Sequence, residues 1–330
     1  ALSGGPLAAH QRRLGRIDAT HLLYVVRPAG VVRWRIDAAG CTRDDLDVTP
    51  HQLRARISAV AGRLSRPPRS GAAAGVAADL PADLATLAVD LLPADLRASL
   101  MSSRAEAPRL LLTLDDALQR LPLAALDLDP GPGHAPLGAH AAICHLRYRR
   151  ARTWSDAGGT ALVVADPQAS PALRRAMPGL DALPGARRQA RHLLAQWPGA
   201  WFLTADAATR ENLLGRWERA ERIAFAAHVV RDAEAPYMSY LPLAGAADGR
   251  IEDAMLEVSD VLGADLSRCR VAVLAGCASG APYVEGGTVA PGLGEAFLDA
   301  GCGTVLQTLW GVDDVAAERF GADLAYHVAS

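Results

Sequence analysis

The stretch RIAFAAH at Arg222–His228 decides the fold, together with VAVLAGC at Val271–Cys277. Each is a short, continuous apolar run that ends in small residues and one reactive side chain, His228 or Cys277. Apolar runs of this length are typical of buried strands in a parallel sheet. The carboxyl ends of parallel strands face one crevice, where ligands usually bind. The two runs therefore predict that His228 and Cys277 share a crevice.

The spacing and chemistry of this pair indicate a cysteine protease. His228 stands 49 positions before Cys277, and a histidine about 50 residues ahead of the nucleophile is the caspase spacing. A thiol attacks as thiolate, and an imidazole can take its proton and later protonate the leaving amine. The N–H groups of Cys277 and Val229 are the candidate donors to the oxyanion. Taken singly, each side chain has a structural alternative, because buried cysteines and histidines are common.

The order of predicted elements indicates an α/β fold. Early in the chain, Leu22–Val26 and Val31–Ile36 predict a β-hairpin, and Pro50–Leu64 has the spacing of an amphipathic helix. Strands then alternate with helices, which predicts βαβ units and a mostly parallel sheet. The predicted strands are Leu110–Leu114, Ala161–Ala165, Trp201–Thr204, Arg222–Ala227, Arg270–Ala275 and Gly303–Thr308.

Segments along most of the chain resemble the CHAT family, caspase-like peptidase domains that are often fused to TPR arrays. The resemblance implies a caspase-like, mostly parallel sheet flanked by helices, with a smaller N-terminal α+β subdomain. We expect that subdomain, with its hairpin and helices, at 1–109, and the catalytic core at 110–330, truncated at its C-terminal end. The segments are Arg109–Leu126, Ala161–Pro167, Leu183–Arg191, Ala208–Leu213, Phe225–His228, Val273–Ser279, Gly292–Gly301 and Val305–Asp314.

The resemblance also implies an activity: a cysteine endopeptidase that cleaves protein substrates through Cys277 and His228 without metal or organic cofactor. It implies regulation by an activating partner or a fused TPR or sensor region, in bacterial defence or cell-death signalling. Two residues depart from the family pattern, Val229 where glycine is usual and Gln189 where glutamate is common. The alternative is a catalytically inactive caspase-like module that acts as a protein-binding or signalling scaffold. Another kind of α/β enzyme would need a G-x-S-x-G or G-x-G-x-x-G motif, which is absent from the sequence.

Four aspartates near strand ends are candidates for substrate binding: Asp166, Asp232, Asp313 and Asp314. The structural alternative for Asp313 and Asp314 is an N-cap and a favourable contact with the dipole of the following helix. A turn is the alternative for Asp166, which precedes proline. Asp232 could orient the imidazole of His228 or line the pocket. The segment Met238–Leu243 is predicted either to pair with an extended peptide or to form an ordinary hairpin on the core.

Composition restricts the remaining classes of function. The chain has 330 residues, 50% of them hydrophobic, and a net charge of −2. It has no uninterrupted apolar run of about 18 residues and no basic cluster, so we expect neither a membrane span nor direct nucleic-acid binding. Five cysteines without paired spacing favour neither a disulfide framework nor a zinc site. We expect a cytoplasmic protein, and its 34 basic residues, all arginine, indicate a GC-rich bacterial genome.

Overall fold

Two five-stranded sheets organise the chain, one in each of the two compact units into which it divides. The first unit comprises Ala1–Arg150 with Gly286–Thr288, and the second comprises Ala151–Glu285 with Val289–Ser330. The computed structural model describes residues 5–64, 80–102, 107–129, 134–146, 159–232, 235–245, 249–276, 283–285, 288–290, 292–309, 311–312 and 314–329.

The first unit contains a mixed sheet with the order β3-β2-β1-β4-β5. The pairs β1–β2 and β2–β3 are antiparallel, whereas β1–β4 and β4–β5 are parallel. Arg27 pairs with Gly30 across the turn between the first two strands, so the predicted hairpin is confirmed. The strands are β1 (Ala19–Arg27), β2 (Gly30–Ile36), β3 (Cys41–Leu46), β4 (Arg109–Thr113) and β5 (Ala142–His145).

Helices pack on this sheet through one apolar face. In the predicted amphipathic helix, Leu53, Ile57 and Val60 are buried in the same core as Leu22 and Leu110 of the sheet. Residues spaced by three and four positions lie on one side of a helix, which explains this burial. The helices of the unit are Pro6–Arg16, Pro50–Leu64, Leu80–Leu91, Ala94–Ser102 and Leu137–His140, with 3₁₀ turns at Asp116–Arg120 and Leu123–Ala125.

The two compact units meet in the sequence at 150/151, and the expected boundary at 109/110 stays a prediction. The chain divides at 150/151 because β4 pairs in parallel with β1, residue 109 opposite residue 19. The strand predicted at Leu110–Leu114 therefore exists but belongs to the first sheet. Its apolar sequence predicts a buried strand without indicating which sheet will accept it.

The second unit contains an all-parallel sheet with the order β14-β11-β8-β6-β7. Its central strand β8 pairs with β11 on one side and β6 on the other. The strands of this part of the chain are β6 (Ala161–Pro167), β7 (Trp201–Ala205), β8 (Arg222–Ala226), β9 (Tyr240–Pro242), β10 (Met255–Glu257), β11 (Val271–Leu274), β12 (Tyr283–Glu285), β13 (Thr288–Ala290) and β14 (Thr304–Gln307).

Both faces of the parallel sheet are covered, which explains the continuous apolar sequence of its strands. On one face Ile223 and Phe225 of β8 join a core that includes Phe297, whose ring meets Phe225 edge-on at 5.8 Å. On the other face Ala224 and Ala226 pack with the helix Pro184–Gln196. The helices of this unit are Pro171–Ala176, Pro184–Gln196, Arg210–Leu214, Val258–Leu262, Leu293–Asp299 and Asp314–Ala329, with 3₁₀ turns at Trp217–Arg219, Pro236–Met238 and Ile251–Ala254.

Thr209 caps the helix Arg210–Leu214, since its hydroxyl accepts the Asn212 N–H at 3.2 Å. Within the ranges given above, none of the helices combines the length and apolar character needed to cross a bilayer.

Acid should lower the folding stability of the first unit through protonation of His21. Burial, and after it the neighbouring His10, lowers the pKa of His21 from 6.5 to about 4. The unfolded chain therefore binds this proton more readily between these values, so stability present above pH 6.5 should fall as the pH drops towards 4. We expect protection factors from amide exchange in β1 and β4 to decrease over this range. His21→Gln should reduce the decrease, and an unchanged pH dependence in that variant would contradict the assignment.

Candidate active site

His228 lies two residues beyond the carboxyl end of the central strand β8, on the side of the parallel sheet where its strands end. This side is called the His228 edge below. The strand before His228 is held by neighbours on both sides and by buried side chains on both faces. His228 itself is only partly buried. The imidazole therefore stands just beyond the end of the strand, with partial access to solvent.

A backbone carbonyl orients the imidazole of His228. The ring Nε2 lies 2.7 Å from the carbonyl oxygen of Asp181. A carbonyl oxygen can only accept a hydrogen bond, so Nε2 must carry the proton and donate it. In the neutral ring the lone pair is then on Nδ1, which is the nitrogen able to accept a proton. Asp181 supplies this contact through its main chain, for which the sequence contains no signal.

Asp166 binds the segment that follows Asp181. Its carboxylate is 5% exposed and accepts the Leu183 N–H through Oδ1 at 2.8 Å and the Arg187 Nε–H through Oδ2 at 2.5 Å. The sequence left two interpretations open for Asp166, substrate binding or a turn. In the structure both oxygens of the carboxylate contact groups of the protein itself.

Asp314, which is far from this helix in the sequence, binds the same helix N-terminus. Its carboxylate accepts the N–H groups of Gly185 (2.5 Å) and Ala186 (3.1 Å). A side chain at Gly185 would collide with Asp314, so this contact requires glycine. Asp314 therefore caps the helix Pro184–Gln196, and it also stands in the first turn of its own helix, where its charge suits the dipole. Asp313, the adjoining candidate, lies outside the described residues.

Together the two carboxylates complete the N-terminus of the helix Pro184–Gln196. The first N–H groups of a helix have no partner within it and need outside acceptors. Asp166 accepts the Leu183 N–H, and Pro184 has no N–H to satisfy. Asp314 accepts the N–H groups of Gly185 and Ala186. Negative charge here also interacts favourably with the helix dipole. The segment that carries the Asp181 carbonyl is thus anchored immediately before a fully capped helix.

The neighbouring strand β11 brings the chain towards His228 in register. Leu274 pairs with Phe225, and the Ala275 N–H donates to the Phe225 carbonyl at 2.8 Å beyond the end of the strand. The parallel ladder therefore continues past β11. Cys277, two residues further on, lies outside the described residues.

Gly276, the last described residue before Cys277, packs closely on the residues beside His228. A Cβ at this position would overlap Val229 Cγ2 and would lie 2.6 Å from the Ala227 carbonyl oxygen. The Thr308 hydroxyl, just beyond β14, donates to the Gly276 carbonyl at 2.5 Å. Gly276 must therefore be glycine, because Val229 and the Ala227 carbonyl oxygen occupy the space that a side chain would need.

The loop after His228 closes on itself. Val230 and Tyr240 exchange two backbone hydrogen bonds of 2.9 Å, and Asp232 Oδ1 accepts the Ala235 N–H at 2.8 Å within that loop. Beyond it, β9 pairs antiparallel with β10 and buries Leu241. The structure thus shows the core packing of the second interpretation for Met238–Leu243, and pairing with a peptide stays a prediction.

The buried cysteines of the second unit lie away from this edge. Cys269 and Cys302 precede β11 and β14, so they lie at the amino ends of strands whose carboxyl ends point towards the His228 edge. Their sulfurs are 3.3 Å apart, and this hydrogen bond, followed by burial, raises the pKa of the Cys269 thiol. Cys41 and Cys144 of the first unit are exposed. Within the described part of the chain, no three His, Cys, Asp or Glu side chains are grouped as metal ligands.

Comparison with known proteins agrees with this architecture. A family model described as the CHAT domain matches residues 82–327. The separase in the Saccharomyces cerevisiae separase–securin complex has a similar structure, with a TM-score of 0.54 and 10% identity over 96% of this chain and 28% of that chain. Separin of Schizosaccharomyces pombe is 44% identical over 57 residues, 17% of this chain and 3% of separin. The chain thus spans under a third of either relative, and the structural likeness shows the fold alone. The predicted caspase-like α/β fold is confirmed.

Gly276→Ala should destabilise the second unit. The added methyl collides with Val229 and the Ala227 carbonyl, and overpacking of this kind costs about 1–3 kcal/mol. Adding Val229→Ala should restore only part of the loss, because the backbone carbonyl stays in place. The loss can be measured from urea unfolding.

Gly263→Ala is the matched control in the same unit. Its Cβ would meet its nearest neighbour, the Ser259 carbonyl oxygen, at an ordinary 3.4 Å, and its φ of −79° suits alanine. We expect a change within about 0.5 kcal/mol. Equal losses in the two variants would contradict the close approach at Gly276.

Proposed function

Because this chain belongs to the CHAT domain family, we propose that it is a cysteine endopeptidase that cleaves protein substrates through His228 and Cys277. One observation carries the proposal: the His228 imidazole, oriented by the Asp181 carbonyl, stands at the end of β8 beside the strand that leads to Cys277. The caspase-like fold supports it, since the carboxyl edge of a parallel sheet is where such folds place their sites.

The proposed reaction has two steps. Nδ1 of His228 takes the thiol proton, and the Cys277 thiolate attacks the scissile carbonyl carbon. The imidazolium then protonates the departing amine, leaving a thioester between Cys277 and the substrate. In the second step water, deprotonated by His228, attacks the thioester, and the thiol regains its proton as the acid leaves. All transfers occur between the two side chains, substrate and water, so the reaction uses no cofactor.

The oxyanion formed in each step is assigned to the N–H groups of Cys277 and Val229. The contact of Gly276 with Val229 supports this assignment, because it brings the residue before Cys277 against the residue after His228. The Thr308 hydroxyl supports it further. It binds the Gly276 carbonyl, and this carbonyl shares one planar peptide group with the Cys277 N–H.

Among the four aspartates first considered, we keep Asp232 and Asp313 as candidates for substrate binding. Asp313 directly precedes the helix Asp314–Ala329, and Asp232 belongs to the loop after His228. Asp166 and Asp314 have contacts at the helix N-terminus that favour a structural assignment.

The wider role that we propose is a regulated protease of the bacterial cytoplasm, in defence or cell-death signalling. An activating protein partner or a fused TPR or sensor region would control it. Support for a partner comes from the similar solved structure, which is a complex of separase with securin. The arginine-only basic composition supports the bacterial assignment.

A second candidate function is an inactive caspase-like scaffold that signals by contact. The observation that favours it is Val229, whose side chain fills space beside Gly276 where the family usually has glycine. A β-branched residue restricts the backbone and narrows the crevice.

A peptide electrophile directed at thiols should label Cys277, and His228→Ala should slow this labelling about 100-fold or more, since the base is lost. The background protein should carry Cys41→Ser and Cys144→Ser, because those thiols are exposed, whereas Cys269 and Cys302 are buried. Mass spectrometry of the labelled peptide gives the rate. Equal rates with and without His228 would reject the dyad.

Val229→Gly distinguishes the two candidate functions. It removes the side chain beside Gly276, so an endopeptidase should cleave an unstructured protein such as casein several-fold faster. Cys277→Ala in the same background is the control for contaminating proteases. Electrophile labelling without cleavage in both the original chain and Val229→Gly would favour the scaffold.

A further inference from the structure

The geometry points to Asp166 as a positioning residue that holds His228 in its proton-accepting form through the backbone of residues 181–183. This inference deepens the proposed function and rests on it for its catalytic meaning. Asp166 thereby has a role other than substrate contact.

A local distortion of β6 directs the Asp166 side chain. The pairing of β6 with β7 shifts between Ala165 and Pro167, so Asp166 is the extra residue of a bulge. Its φ of 45° lies in the left-handed region, which only a few per cent of non-glycine residues adopt. Bulges beside functional sites redirect one side chain out of the strand pattern. Here the redirected side chain is a carboxylate that is 5% exposed.

This carboxylate is connected to His228 by a short series of contacts. Asp166 accepts the Leu183 N–H at 2.8 Å, and Asp181, two residues earlier, gives its carbonyl to His228 Nε2 at 2.7 Å. Each residue has only two soft backbone dihedrals, so holding the Leu183 N–H restricts where the Asp181 carbonyl can point. Arg187 binds the other oxygen of Asp166 and keeps the carboxylate in place.

Helix capping alone does not account for Asp166. Asp314 already accepts the N–H groups of Gly185 and Ala186, which are the unpaired donors inside the first turn. The donor that remains for Asp166 is the Leu183 N–H. Leu183 precedes the helix and is two residues after Asp181. The two carboxylates therefore have different tasks: Asp314 completes the helix, and Asp166 holds the segment that orients the imidazole.

The chemical consequence concerns the ring tautomer. While the Asp181 carbonyl is in place, Nε2 keeps the proton and Nδ1 keeps the lone pair that must receive the thiol proton. If that carbonyl were free to turn away, the Nδ1–H tautomer would become populated. A ring with its proton on Nδ1 cannot act as the base from that nitrogen.

Nitrogen NMR of the full chain, with ¹⁵N in the histidine rings, tests this directly. His228→Gln identifies the His228 signals. Asp166→Gly deletes the carboxylate without strain, because glycine adopts positive φ freely, and we expect it to shift His228 from one tautomer to a mixture. Asp166→Asn keeps an oxygen for the Leu183 N–H and tolerates the left-handed backbone, so we expect the original tautomer. Asp166→Ala provides a second deletion should the glycine variant not fold.

Asp314→Ala is the matched control, since it removes the other carboxylate from the same helix N-terminus. We expect it to lower the melting temperature while His228 keeps its original tautomer. An unchanged tautomer in the Asp166 deletions would overturn the proposal. The same change in Asp314→Ala would also overturn it, because helix capping would then explain the effect.

The labelling rate of Cys277 separates this inference from the proposed function. We expect Asp166→Gly to slow labelling several-fold, because only part of the population then keeps its lone pair on Nδ1, and Asp166→Asn to remain near the original rate. If the original chain does not react at Cys277, the peptidase proposal fails. The ring signals of His228 still decide the role of Asp166 in that case.

Discussion

The parallel pairing of β6, β8 and β11 is the constraint on which the candidate site depends. Side chains alternate between the faces of a strand, so a slip by one residue would exchange Phe225 and Ala224 between two differently shaped cores. The large ring fits the side that contains Phe297, and the small methyl fits beneath the helix Pro184–Gln196. Burial on both faces therefore specifies the register, and the register determines how far the chain extends before His228.

The imidazole of His228, which follows that strand end, is oriented by the segment just before the helix Pro184–Gln196. Three groups meet there: Asp166 from β6, Asp314 from the last described helix, and the Asp181 carbonyl, which lies just before the helix and is directed at His228. Each contact satisfies a backbone donor or a ring N–H that would otherwise need water. The result is a polar network with few degrees of freedom beside an exposed sheet edge, an arrangement suited to proton transfer.

Much of this architecture could be predicted from the sequence, for identifiable physical reasons. The strands of the second unit are apolar runs because both faces of their sheet are buried, and a reactive residue at such a run's end is easy to recognise. The sequence could not indicate that β4 belongs to the first sheet, since its apolar sequence is equally compatible with either sheet. The contact of Asp314 with the N–H groups of Gly185 and Ala186 could not be predicted, because these donors are 129 and 128 positions away in the sequence. Asp181 acts through its carbonyl, which every residue possesses.

The distance between Asp314 and its partners has a consequence for synthesis. The chain emerges from the ribosome in order, and Gly185 emerges long before the residue whose carboxylate receives its N–H. Strands β6, β7, β8 and β11 can pair while this helix still lacks two of its acceptors. A truncated or stalled polypeptide ending before Asp314 would therefore carry the sheet with an incompletely satisfied helix beside His228. Completion of this helix N-terminus therefore has to wait until synthesis has passed Asp314.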